Sequence, residues 1–203
     1  NYREAINLLN KAESAYRERN DIEGLSLVLT RRASAYRQMG KYEAALARNL
    51  EQAQKGKSYS EKLAAKRNRP QIPELIEPTA NVQDLAGCDL IIEAVFEKRE
   101  LKAQVTREAE PMLAPGGIFA SNTSTLPITG LAQASAKPDK FIGIHFFSPV
   151  DKMKLVEIIR GKATDDETVA RAFDYVQALG KIPIVVNDSR GFFTSRVFGT
   201  FVM

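Results

Sequence analysis

Between Asp89 and Val186 short apolar runs alternate with amphipathic stretches, and this alternation restricts the fold more than any other feature of the chain. Asp89-Leu-Ile-Ile-Glu-Ala-Val95 reads as a buried strand. Leu101, Val105, Ala109 and Met112 then share one face of a helix that Pro115-Gly-Gly117 closes. A second strand over 117–121, a short helix after Pro127 and strands over 141–146 and 155–159 follow, then a helix over 165–179 and a strand over 182–186. Thr164-Asp-Asp-Glu167 forms a capping box and Gly180 a stop, so the last helix is well delimited. Strands that are apolar throughout need cover on both faces, which predicts an α/β fold with a doubly wound, largely parallel sheet.

The front of the chain follows a different pattern. Residues 1–54 hold no proline and only two glycines, and Ala5, Leu8, Leu9, Ala12, Ala15 and Tyr16 recur at helical spacing. Tyr2-Arg-Glu-Ala and Tyr42-Glu-Ala-Ala each open a similar helix, with Gly40 at the turn before the second. Small residues where helices approach, a glycine at the turn and a following tyrosine resemble a tetratricopeptide repeat. A plain helical hairpin is the alternative. Pro70, Pro73 and Pro78 then break the helical pattern and mark a connector over 70–81.

Charge separates the two parts. Residues 1–70 carry 15 Lys and Arg against 8 Asp and Glu, while residues 71–203 carry 14 against 17. The basic residues of the front lie between apolar ones at helical spacing, the pattern of a solvated helix face, so no nucleic-acid partner is expected. No run of eighteen apolar residues exists, which excludes a membrane-spanning helix. The single cysteine, Cys88, sits in an apolar run where a buried side chain is the ordinary reading. One cysteine permits no disulfide framework, so a reducing, cytoplasmic location is expected.

Three ordered segments carry the chemistry: Ser121-Asn-Thr-Ser-Thr-Leu-Pro-Ile128, Phe141-Ile-Gly-Ile-His145-Phe-Phe-Ser-Pro149 and Met153-Lys-Leu-Val-Glu157. With the flanking Gly56-Lys-Ser-Tyr-Ser-Glu-Lys-Leu63 and Arg190-Gly-Phe-Phe-Thr-Ser-Arg196 they resemble the 3-hydroxyacyl-CoA dehydrogenase family. The resemblance implies a Rossmann-like sheet, NAD as cofactor, and oxidation of (3S)-3-hydroxyacyl-CoA to 3-oxoacyl-CoA in fatty-acid β-oxidation. It divides the chain into a tetratricopeptide-like segment over 1–55, a partial NAD-binding domain over 56–187 and the start of a C-terminal helical domain over 188–203. The implied partners are an acyl-CoA substrate and, once the C-terminal domain is present, a second copy of the chain. A protein partner on residues 1–54 follows from the repeat-like pattern.

Removing a hydroxyl proton while hydride leaves the same carbon calls for a base that titrates near neutrality, and His145 is the only histidine. A lone histidine at a strand end serves as readily as a structural residue; the flanking segments decide for catalysis. Glu157, acidic within an apolar strand, needs a partner, and the imidazole is the obvious one. By resemblance Ser124 meets the reacting oxygen and approaches the nicotinamide, Glu97 and Lys102 contact the cofactor, Asn122 supports it, and Ser148 stands where the family often has asparagine. Ser195 replaces the asparagine of a Gly-Phe-x-x-Asn-Arg pattern, which leaves a shorter side chain with one donor at an expected catalytic position.

The Gly-x-Gly-x-x-Gly turn that holds the pyrophosphate in this fold is missing. The glycines before Gly87 are Gly24, Gly40 and Gly56, too far apart to form it. An incomplete doubly wound sheet with impaired activity is therefore expected. The alternative function is a protein-interaction module of tetratricopeptide type fused to an inactive dehydrogenase remnant.

Overall fold

The computed structural model describes residues 50–68 and 71–202, and the chain divides into two compact units after Asn81. The expected tetratricopeptide-like segment lies outside the described residues except at its last few positions. In the first unit a helix runs over 50–66, continuous through Gly56. A Lys55–Glu51 ion pair of 2.6 Å lies on its exposed side. The connector expected over 70–81 holds a 3₁₀ turn at Ile72–Leu75, and the boundary between units falls at its end.

The second unit is a five-stranded sheet in the order β1 (Cys88–Glu93), β2 (Leu113–Ser121), β3 (Phe141–Phe146), β4 (Leu155–Arg160), β5 (Ile182–Asn187). Its helices are α1 (Arg99–Ala109), the single turn α2 (Ile128–Leu131), α3 (Asp166–Ala178) and α4 (Thr194–Val202). Every neighbouring pair is parallel except β3 and β4. The connection over 147–154 is the reason: a parallel crossover needs about a dozen residues or more, so the chain turns back on itself. The fold is thus mixed α/β with a mostly parallel sheet.

Alternate residues of each strand enter different cores. Ile91, Phe119, Phe141 and Ile159 pack on one face with Ile128 and Leu131 from the α2 region. Ile118, Ala120, Ile142, Ile144 and Ile158 fill the other against Ala172 and Val176 of α3. Helices on both faces are what continuous apolar strands require. A Cβ on Gly143 would stand 2.7 Å from Ile128 Cδ1 and 2.9 Å from Ile159 Cβ. Only glycine at that point of β3 lets α2 settle onto the sheet.

One sequence expectation is corrected in detail. Pro115-Gly116-Gly117 does not close the helix, because α1 ends at Ala109 and a 3₁₀ turn at Glu110–Met112 leads straight into β2. Those residues form a bulge inside β2: Cys88 pairs with Leu113 and Leu90 already with Ile118. Gly116 supplies the left-handed backbone there, at φ 76°.

Candidate active site

The antiparallel pairing of β3 and β4 sets His145 directly opposite Glu157. Both lie on the sheet face that carries Phe141 and Ile159, so their side chains meet. His145 Nδ1 stands 2.8 Å from Glu157 Oε2, with His145 6% exposed and Glu157 fully buried. The other carboxylate oxygen, Oε1, accepts the backbone N–H groups of Phe193 at 3.1 Å and Thr194 at 2.8 Å. Burial pushes the Glu157 carboxyl upward. Hydrogen bonds from the Thr194 amide, the His145 ring and the Phe193 amide outweigh it and hold the group below the ordinary carboxylate value. The buried Thr194 hydroxyl makes no hydrogen bond, so the bonds to Oε1 come from the two amides. An ionised carboxylate only accepts hydrogen bonds, so Nδ1 carries the proton and Nε2 keeps a lone pair in the neutral ring. Phe147 and Phe192 flank the imidazole, with ring centroids 4.4 and 6.3 Å away.

The strands β1, β2 and β3 run parallel, so their carboxyl ends gather at one edge of the sheet, where ligands bind in open α/β folds. After β2, Asn122 accepts the Phe146 N–H through Oδ1 at 2.8 Å, which ties the turn to the residue after His145. Glu97 Oε1 accepts the Ser124 N–H at 2.6 Å, and both Glu97 oxygens accept from the Thr123 hydroxyl at 3.0 and 2.9 Å. Ser124 itself is exposed, its hydroxyl free for another partner.

Lys102, expected to contact the cofactor, begins from a buried position on α1. It is 2% exposed, and its ammonium lies 3.0 Å from both oxygens of buried Glu93 and 3.2 Å from the Val95 carbonyl, with Glu97 at 3.8 Å. Ser121 also donates its hydroxyl to Glu93. Lys102 therefore braces the loop that carries Glu97. Ser148 is exposed in the loop after β3. Ser195 is exposed in the first turn of α4, next to the Thr194 amide that touches Glu157.

The sequence reading missed three residues. Glu93 is an acid inside an apolar strand, and the argument that singled out Glu157 applies to it equally. Asp188, after β5, accepts the N–H groups of Ile128 at 2.9 Å and Thr129 at 2.8 Å, capping α2. Thr123 is buried and bonds Glu97, and nothing in the sequence separates it from its serine and threonine neighbours.

The profile of the NAD binding domain of 3-hydroxyacyl-CoA dehydrogenase matches residues 23–189, well over half of the chain and beginning upstream of the position expected from the motifs. Solved structures agree. The (S)-3-hydroxybutyryl-CoA dehydrogenase PaaH1 of Ralstonia eutropha is 35% identical over 71% of this chain and 53% of its own, with a TM-score of 0.66. FadB2 of M. tuberculosis is 30% identical over 79% of this chain and 57% of its own, TM-score 0.68. The Escherichia coli 3-hydroxybutyryl-CoA dehydrogenase is 29% identical over 76% and 33%, TM-score 0.65. The chain thus spans between a third and three fifths of the length of these structures. None of the helices among the described residues is long and apolar enough to cross a membrane. With its ordered motifs, its mostly parallel sheet and a match to the NAD binding domain over residues 23–189, this chain belongs to the 3-hydroxyacyl-CoA dehydrogenase family.

Proposed function

We propose that this chain contributes the oxidation site of an enzyme that converts (3S)-3-hydroxyacyl-CoA to 3-oxoacyl-CoA in β-oxidation. The observation that carries the reading is the buried His145–Glu157 pair, with His145 near the carboxyl end of β3. NAD, when bound, supplies the hydride acceptor, so the overall reaction yields 3-oxoacyl-CoA, NADH and one proton. His145 Nε2 takes the 3-hydroxyl proton. Glu157 holds the ring in the required tautomer and stabilises the imidazolium that forms. Ser124 offers its hydroxyl to the reacting oxygen, and Ser195 adds a shorter contact than the family's asparagine.

The chemistry of the donor set supports the nicotinamide half of the cofactor. Asn122 keeps its two amide N–H donors because Oδ1 is already bonded, Ser124 and Ser148 have exposed hydroxyls, and Glu97 has an exposed carboxylate. Lys102 serves by fixing Glu97 and the Val95 carbonyl. The pyrophosphate half lacks its usual turn, since no Gly-x-Gly-x-x-Gly occurs in the 203 residues. A second reading is an interaction module with an inactive dehydrogenase remnant, and Ser195 in place of the expected asparagine is what supports it.

Following NADH absorbance with acetoacetyl-CoA in the enzyme that contains this chain tests both. Turnover that His145→Gln lowers by at least about a hundredfold, with substrate binding little changed, supports the base assignment. A loss under about tenfold rejects it. No turnover at any protein concentration favours the interaction module.

A further inference from the structure

His145 engages only one oxygen of Glu157, and the partners of the other come from a turn remote in sequence. Phe193 and Thr194, whose amides bond Oε1, are the residue preceding α4 and its first residue. Immediately before them Gly191 and Phe192 both take left-handed backbone, at φ 72° and 48°. For phenylalanine that conformation is unfavourable and persists only where surroundings impose it. Phe192 is 3% exposed within the apolar core beside the imidazole. Its burial holds the turn, and the turn aims two successive N–H groups at the carboxylate. At the other end of the same segment Asp188 grips the amides of Ile128 and Thr129, just beyond the Ser124 turn.

We propose that residues 188–194 form a positioning clamp in which the left-handed Phe192 turn and the Phe193 and Thr194 amides align Glu157 on His145 Nδ1, fixing the ring as its Nδ1–H tautomer. The inference rests on the reading of His145 as the base and deepens it by naming what orients that base. Strand pairing fixes the backbones of His145 and Glu157 but leaves the glutamate torsions free. A fully buried carboxylate with Oε1 unbonded would rotate to find donors. The amides remove that freedom. They also couple the proton-accepting ring to the first turn of α4.

The single histidine makes the test direct, because ring ¹⁵N resonances of the whole 203-residue chain report one tautomer without cofactor or substrate. Proline is tolerated at the first position of a helix, so Thr194→Pro deletes one amide donor there, whereas Thr194→Val keeps the amide and removes the hydroxyl. At a pH where the ring is neutral, the wild type should show Nδ1–H and Thr194→Val should match it. Thr194→Pro should shift the tautomer ratio roughly tenfold toward Nε2–H, the worth of one charge-assisted hydrogen bond. A folded Thr194→Pro protein with the wild-type tautomer, or an equal shift in Thr194→Val, overturns the clamp. Should Thr194→Pro not fold, Glu157→Gln decides: the Phe193 and Thr194 amide protons should move upfield, and unchanged resonances overturn the proposal. Absence of NADH turnover bears only on the proposed activity, since these readouts need none.

Discussion

Glu157 and Glu93 are both acids inside apolar strands, and each is stable there because every oxygen it carries has a donor. Glu157 uses an imidazole and two amides, while Glu93 uses an ammonium, the Ser121 hydroxyl and the Val95 amide. Removing one partner of such a group leaves a buried charge uncompensated, which costs far more than an exposed ion pair contributes. Ser195 is a different kind of residue, exposed in the first turn of α4. Ser195→Asn should change stability by less than about 0.5 kcal/mol, as exposed substitutions do, and preserve or raise kcat/KM in the enzyme that contains this chain. Thermal melts and the acetoacetyl-CoA assay measure both. A severe loss of activity would mean that the site is built around serine.

At the scale of elements, α3 shows how a cap becomes a pH dependence. Asp165 precedes the helix, accepts the Thr168 N–H at 2.7 Å and takes the Lys140 ammonium at 2.8 Å. The Lys140 hydrogen bond is the largest of the effects that lower its carboxyl from 3.8 to about 2. A folded-state value below the unfolded one stabilises the native protein above the unfolded value. The contribution fades as pH falls from 3.8 toward about 2. Asp165→Ala should cost about 1 kcal/mol at neutral pH, the usual worth of an aspartate cap, and should flatten the acid limb of stability in that window. Urea unfolding at several pH values checks this; equal acid sensitivity in the variant would rule out Asp165 as the source. The antiparallel β3–β4 pair is the other element of consequence, because its register alone makes His145 and Glu157 neighbours.

For the 203 residues as a whole, the consequence concerns the cofactor. In this fold a doubly charged pyrophosphate sits on backbone N–H groups at a helix N-terminus, and the groups proposed around Glu97, Asn122, Ser124 and Ser148 would serve only the nicotinamide end. Isothermal titration with NADH should therefore show weak binding or none. A dissociation constant of about 10 μM or tighter, equivalent to roughly −7 kcal/mol, would require a phosphate site of another design.

The sequence by itself determined the alternation of strands and helices, the limits of α3, and the candidacy of His145 and Glu157, because apolar periodicity, capping residues and an isolated acid in a strand are local signals. Membership of the family was equally legible, since its motifs are contiguous and ordered. What a single residue bonds was not. The spacing of Lys102 shows no bond to Glu93, nine residues earlier in the chain, yet its ammonium lies 3.0 Å from that carboxylate. Pro115-Gly116-Gly117 looked like a helix stop and became a strand bulge, because pairing with β1 overrode the local preference for a turn. The amides of Phe193 and Thr194 reach Glu157 across more than thirty residues, and backbone groups carry no sequence signature. Tertiary structure decided these points because burial demands a donor for each buried acceptor, and only the packed chain fixes which one is close enough.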